Sequence, residues 1–114
     1  MHSIAIKPMS VNKAWQGKRY KTTDYKVYEQ ELMYRLPKAV EIPEGPLRVI
    51  YEFGVSNPLS DWDNPCKPFQ DVLQKRYEFD DRRIMEATVK KVIVEKGKEY
   101  ISFSILPYRQ DNVE

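Results

Sequence analysis

Two spacings of apolar residues recur along this chain, one of two residues and one of three to four. A spacing of two predicts a strand, because successive side chains of a strand point to opposite faces. The clearest strand pattern has apolar side chains at Leu47, Val49, Tyr51, Phe53 and Val55. Three further segments predict strands at residues 3–7, 84–95 and 100–106. Between the last two, Lys96-Gly97-Lys98 predicts a hairpin turn.

A spacing of three to four residues predicts two helices. The first has its apolar face at Tyr25, Tyr28, Leu32 and Leu36. Thr22 or Thr23 is suited to cap this helix, and Pro37 ends it. The second starts at Asn64-Pro65, since proline is favoured in the first helical turn. Its predicted buried face consists of Phe69, Val72, Leu73 and Tyr77.

The element order is therefore β-α-β-α-β-β. This order predicts an α+β fold in which the helices pack on a mixed sheet and the last two strands are antiparallel neighbours. The length of 114 residues favours a single domain, residues 1–114, with a mobile tail at residues 107–114.

The composition excludes several classes of protein. A hydrophobic content of 41% and an aromatic content of 12% fit a folded globular chain. Cys66 is the only cysteine and His2 the only histidine, so one chain has no internal disulfide, no Cys-rich zinc site and no Cys–His or Ser–His catalysis. No apolar run has the length of a membrane span, and no signal-peptide core is present. We therefore expect a soluble, cytoplasmic protein.

The net charge of +2 hides a basic segment near the N-terminus. No acidic residue precedes Asp24, whereas five cations do: Lys7, Lys13, Lys18, Arg19 and Lys21. Trp15 and Tyr20 lie among them. Cations neutralise phosphates and aromatic rings stack on unpaired bases, so the segment favours DNA contact. The alternative is a solvated basic loop whose aromatic side chains fold into the core.

Two pairs of carboxylates flank the second helix. Asp61 and Asp63 precede it, and in an extended segment they face one way while Trp62 faces the other, into packing. Asp80-Asp81 follows the helix, which turns the chain back, and Lys67 lies in its first turn. Carboxylates without a cation beside each one suggest a hard divalent cation such as Mg2+. A cation of this kind activates water for phosphodiester hydrolysis, and a nearby lysine stabilises the developing charge.

Each part of this pattern also has a structural interpretation. Asp63 is able to cap the helix. Lys67 and Asp71 are four residues apart and suited to an ion pair on the helix surface. Asp80-Asp81 can form an ordinary turn whose charge is balanced by the two arginines that follow. Spacing alone does not choose between these interpretations and catalysis.

As an ordered set, these residues resemble the RusA family of Holliday junction resolvases, found largely in phages and prophages. The resemblance rests on Asp61-x-Asp63-Asn64-x-x-Lys67-Pro68-x-x-Asp71-x-Leu73, followed by Phe79-Asp80-Asp81-x-x-Ile84. It extends to an N-terminal strand followed by Pro8, Asn12, Trp15 and Gly17-Lys18-Arg19-Tyr20, and so covers nearly the whole chain. Pro65-Cys66 departs from the apolar pair often found there, which should affect packing more than chemistry.

The resemblance implies a RusA-like fold and a homodimeric, Mg2+-dependent endonuclease, with Mn2+ as an alternative ion. Such an enzyme nicks two strands of a four-way junction symmetrically, in DNA recombination and repair. The implied metal ligands are Asp61, Asp63 and Asp81, which with Lys67 make up the implied catalytic residues; Asp80 is an auxiliary acid. The DNA contacts expected from this chain are Lys13, Lys18, Arg19, Lys21 and Arg82.

Two alternatives remain at this point. One is a less selective metal-dependent nuclease that acts on flaps or duplex DNA. The other is a non-catalytic nucleic-acid-binding protein that uses the basic loop alone. The presence of Asp61, Asp63, Lys67 and Asp81 together argues against the second alternative.

Overall fold

The computed structural model describes residues 1–16 and 20–109, with only the backbone of residues 15, 16, 20 and 21. Its strands are β1 (His2–Ile4), β2 (Trp15–Gln16), β3 (Tyr20–Lys21), β4 (Leu47–Val55), β5 (Ile84–Ile93) and β6 (Tyr100–Pro107). Its α-helices are α1 (Val11–Ala14), α2 (Thr23–Arg35) and α3 (Cys66–Tyr77), and a 3-10 turn spans Asp81–Arg83. The predicted α+β class is confirmed. The predicted tail lies partly outside the described residues, at positions 110–114.

The main sheet has four strands in the order β1-β6-β4-β5. β4 pairs parallel to β5 and antiparallel to β6, and β1 pairs antiparallel to β6. The predicted mixed sheet is therefore confirmed. A separate ladder joins the short strands β2 and β3 beside α1.

The predicted hairpin between β5 and β6 is wrong, because β4 lies between these two strands. A turn does form where the sequence predicts it, with Gly97 at a φ of 94° and the Lys98 amide donating to the Glu95 carbonyl at 2.9 Å. It carries the chain over the end of β4, where the Val94 amide donates to the Val55 carbonyl at 2.9 Å. β4 lies between β5 and β6, so each of these strands pairs with β4 instead of with the other.

The helices cover one face of the sheet. The buried residues of that face are Leu47, Val49, Tyr51 and Phe53 from β4 and Ile101, Phe103 and Ile105 from β6. Phe69 of α3 lies at their centre, with its ring 5.3 Å from that of Tyr51, 5.9 Å from that of Phe53 and 5.6 Å from that of Phe103. Edge-on ring packing of this kind adds to the free energy of burial. α3 is therefore held firmly on the sheet.

The N-termini of the two long helices are capped differently. Thr22 caps α2, because its hydroxyl oxygen accepts from the Tyr25 amide at 3.1 Å. At the start of α3 the cap position is taken by Pro65, and no side chain caps this helix. The interpretation of Asp63 as a helix cap is therefore wrong. The Asp63 carbonyl accepts from the Cys66 amide at 3.0 Å, and its carboxylate is left for other contacts.

Candidate active site

The segment between β4 and α3, residues 57–64, is called here the acidic loop. Asn57 shapes its first turn, since its side-chain oxygen accepts from the Leu59 amide at 3.0 Å and its carbonyl accepts from the Ser60 amide at 3.1 Å. Lys91 of β5 donates to two loop carbonyls, those of Pro58 at 3.1 Å and Ser60 at 2.8 Å. The loop is thus joined to the sheet immediately before Asp61.

Asp61 and Asp63 are both exposed on this loop. The side-chain amide of Asn64 donates to Oδ2 of Asp61 at 3.2 Å, and the Asn64 carbonyl accepts from the Val11 amide at 2.9 Å. The prediction that Trp62 faces into packing is wrong, because its side chain is 58% exposed. Asp61, Trp62 and Asp63 are therefore all exposed, on both sides of this segment.

The start of α3 is within electrostatic reach of Asp63. Burial, and then the charge of Asp63, raises the pKa of the Cys66 thiol to about 11. A thiol with so high a pKa is almost fully protonated at neutral pH, and a protonated thiol is a poor nucleophile. Cys66 in the first turn of α3 is therefore suited to packing and not to nucleophilic chemistry.

Lys67 lies one residue further along α3 and forms the surface ion pair that the sequence allows. Its Nζ lies 2.9 Å from Oδ1 of Asp71. The hydrogen bond to Asp71 raises the pKa of Lys67 despite partial burial, and Asp81 adds to the effect. Lys67 is therefore a cation across the neutral range, and it interacts with a predicted metal ligand as well as with Asp71.

Two glutamine side chains of α3 hold Asp81 against the flank of that helix. Gln70 donates from Nε2 to Oδ2 of Asp81 at 3.4 Å, and Oε1 of Gln74 accepts from the Asp81 amide at 3.1 Å. The buried Tyr51 hydroxyl donates to Oε1 of Gln70 at 3.0 Å, which turns the Gln70 amide nitrogen toward Asp81. The charge of Asp81 also contributes to a raised pKa of Tyr51, after burial and Cys66. Sequence analysis missed both glutamines, because their spacing matches no motif and only the fold reveals their partners.

Asp80 and the two arginines that follow Asp81 have structural partners. The Asp80 carboxylate caps the 3-10 turn through the Arg82 amide at 2.9 Å and binds the Arg82 guanidinium at 2.8 Å. Arg82 thereby lowers the pKa of Asp80. Arg83 donates to the backbone carbonyls of Pro43 and Gly45, which holds the connection before β4. The role of Asp80 as an auxiliary acid stays a prediction.

A comparison with protein families identifies the chain's relatives. The family model described as endodeoxyribonuclease RusA matches residues 6–103, which include the acidic loop, α3 and Asp81. The chain belongs to the RusA family. A search of the curated proteins found no match. Family membership supports a nuclease that hydrolyses DNA.

The basic residues predicted to contact DNA are described only in part. Lys13 is exposed on α1 and lines a cleft of about 640 Å3 together with Asp61 and Asn64. Arg82 is 88% exposed beside Asp80. Lys18 and Arg19 lie outside the described residues, as does the side chain of Lys21.

Among the described residues, no helix is long and apolar enough to cross a membrane.

The carboxylates of this RusA-family chain fit a hard cation by their chemistry. Within residues 1–16 and 20–109, no three Asp, Glu, His or Cys side chains converge in a ready-made metal cage. Asp61 and Asp81 nevertheless each accept from a neutral amide, and Asp63 lies exposed on the acidic loop with Asp61. Mg2+ keeps several waters and is usually held by one or two carboxylates together with substrate oxygens, so a closed cage is not required.

Proposed function

We propose that the chain is a Mg2+-dependent endonuclease that resolves Holliday junctions and similar branched DNA by paired symmetric nicks, in recombination and repair. The observation that carries the proposal is the match to the RusA family over residues 6–103. The contacts that hold Asp81 against α3, next to the helical turn that carries Lys67, support it. Phosphodiester hydrolysis needs such a combination of carboxylates and a cation.

The proposed metal ligands are Asp61, Asp63 and Asp81, with Mn2+ as a substitute for Mg2+. When bound, the cation supplies an activated water and stabilises negative charge on the phosphate. Asp61 and Asp63 come from a loop, whereas Asp81 is held by glutamines of a packed helix. The rigid part of the site is therefore the flank of α3, and the acidic loop completes it.

Lys67 is the proposed residue that stabilises charge on the scissile phosphate. Its raised pKa keeps it protonated, so it acts as a cation or a proton donor and not as a general base. Asp71 holds its Nζ in the free protein, and a phosphate oxygen is the natural competitor for that position. An exposed helical ion pair contributes only about 0.2–0.5 kcal/mol, so the exchange costs little.

The proposed DNA contacts are Lys13, Lys18, Arg19, Lys21 and Arg82. Lys13 supports this assignment because it borders the cleft that Asp61 also lines. Arg82 is exposed beside Asp81 and would have to leave Asp80 to meet a phosphate. The proposed working form is a homodimer, because two symmetric cuts need two equivalent sites and a two-fold axis supplies them.

The proposal is tested by cleavage of three substrates of matched sequence: a four-way junction, a flap and a linear duplex. We expect cleavage of the junction in Mg2+ and none in EDTA, with little product from the duplex. A cruciform in a closed plasmid should give linear product before nicked circles accumulate, because the two cuts are paired. Equal cleavage of all three substrates would favour the less selective nuclease. Junction binding without cleavage in either Mg2+ or Mn2+ would favour the other alternative, a non-catalytic DNA-binding protein.

A further inference from the structure

We propose that Lys91 is a positioning residue that fixes the acidic loop against the sheet and thereby sets the placement of Asp61 and Asp63. The inference rests on the proposed function only for its catalytic consequence. The structural part concerns a lysine and two carbonyl groups, and it can be tested in protein that cleaves nothing.

The geometry of Lys91 shows how one side chain joins two elements. It lies near the end of β5, opposite Phe53 of β4, on the sheet face that the helices cover. Its Nζ donates to the carbonyls of Pro58 and Ser60 at 3.1 and 2.8 Å. These carbonyls lie three residues and one residue before Asp61. A rotation of the loop would have to break both bonds.

Lysine suits this position because of its donors and its charge. An ammonium group has three N–H donors and no acceptor, so it can serve two converging carbonyls at once. Hydrogen bonds from a charged donor are stronger than those between neutral groups. The other contacts of the loop described above are its own turns and bonds, at Asn57 and between Asn64 and Asp61, and backbone bonds to Val11 and Cys66. Lys91 adds the attachment to the sheet in front of the carboxylates.

The strand register distinguishes Lys91 from its neighbour Lys90. The sequence offered little warning of this role. Lys90 and Lys91 are adjacent in β5 and equal in charge, and only the strand register shows which one faces the loop. Lys90 lies opposite Glu52 on the other face.

The neighbouring lysine supplies a matched control. Lys91→Met keeps the length of the side chain and removes its donors, whereas Lys90→Met makes the same change on the opposite face. Lys91→Arg keeps the charge and the donors. The first measurement is amide hydrogen exchange of peptides that cover residues 57–64. We expect faster exchange there in Lys91→Met, and exchange close to that of the natural protein in Lys90→Met and Lys91→Arg.

The second measurement is single-turnover cleavage of a four-way junction at saturating protein, together with junction affinity across salt concentrations. In Lys91→Met the rate should fall roughly 10- to 100-fold, because small displacements of catalytic groups have effects of that size. The Mg2+ concentration for half-maximal rate should rise, while affinity and its salt dependence stay unchanged. Lys91→Arg should recover most of the rate.

Three results would overturn the proposal. The first is unchanged hydrogen exchange of the loop in a cooperatively folded Lys91→Met protein. The second is a rate loss matched by an equal loss of junction affinity and a shallower salt dependence, which would make Lys91 a phosphate contact. The third is an equal effect of Lys90→Met. If no variant and not even the natural protein cleaves, the proposed function fails, whereas the exchange data still decide the role of Lys91.

Discussion

At the scale of single residues, the site is divided between groups held by the fold and groups that face solvent. Tyr51 orients Gln70, and Gln70 donates to Asp81, so one predicted ligand depends on a buried hydroxyl. Asp61 and Asp63 lie on an exposed loop instead. Substitutions of Tyr51 or Gln70 should therefore affect both folding and activity. Substitutions of Asp61 or Asp63 should affect activity and leave folding unchanged.

Lys67 and Asp71 allow catalysis to be separated from helix stability. Lys67→Ala should lower the single-turnover rate of junction cleavage by about 100-fold or more, as loss of one charge-stabilising donor does. Asp71→Asn removes the partner 2.9 Å away and should spare the rate, because Asp71 is not among the proposed metal ligands. Melting temperature and junction affinity should change little in either variant. Normal cleavage by Lys67→Ala, or equal inactivity of Asp71→Asn, would remove Lys67 from the chemistry.

Cys66 reports on the position of Asp63 without any need for activity. Its pKa of about 11 lies roughly two units above that of an ordinary thiol, so alkylation near pH 8 should be about 100-fold slower than that of a free cysteine. Because the raised pKa favours the neutral thiol, its contribution to stability holds below the ordinary pKa and is lost as pH rises toward 11. Asp63→Asn should lower the pKa and speed alkylation. An unchanged rate in that variant would place Asp63 away from Cys66.

At the scale of elements, local patterns predicted the helices and strands well, but they predicted less well which strands pair with each other. The apolar faces of α2 and α3 and the alternation of β4 are confirmed, because each depends on residues close in sequence. The predicted β5–β6 hairpin is wrong because strand pairing depends on the whole sheet, in which β4 lies between β5 and β6. The exposure of Trp62 was missed for a similar reason. Alternation shows which side of an extended segment a side chain lies on, but not whether another element covers that side. The glutamines around Asp81 and the bonds of Lys91 were beyond prediction, because their partners lie on other elements.

The antiparallel pairing of β4 with β6, which sets Gly54 opposite Tyr100, provides a test of this topology. A Cβ at Gly54 would lie 2.3 Å from the ring of Tyr100, whose hydroxyl is tied to Glu52 at 2.6 Å. Gly54→Ala should therefore destabilise the protein by about 1–3 kcal/mol, which is the usual cost of overpacking. In a Tyr100→Ala background the same change should cost far less. Thermal melts of the four proteins form a double-mutant cycle, and equal costs in both backgrounds would contradict the packing of Tyr100 over Gly54.

At the scale of the whole molecule, the charges near the N-terminus and the acidic loop are expected to act on one DNA backbone. Binding through phosphates releases counterions, so the logarithm of affinity falls with the logarithm of salt concentration by about 0.9 for each contact on duplex arms. Replacing Lys18, Arg19 and Lys21 by Ala should flatten that slope by up to about 2.7. Titrations of a four-way junction at several salt concentrations measure it. An unchanged slope would place the DNA-binding face elsewhere.

The most direct test of the account is to compare cleavage and binding in Asp81→Asn, with Glu78→Gln as the control. Glu78 is an exposed acid at the end of α3, on the same short connection. In Mg2+, Asp81→Asn should lose junction cleavage while it binds the junction as well as or slightly better than the natural protein, because a negative charge near phosphate has been removed. Glu78→Gln should cleave normally. Full cleavage by Asp81→Asn, or a loss of cleavage that only follows a loss of binding, would contradict the assignment of the active site.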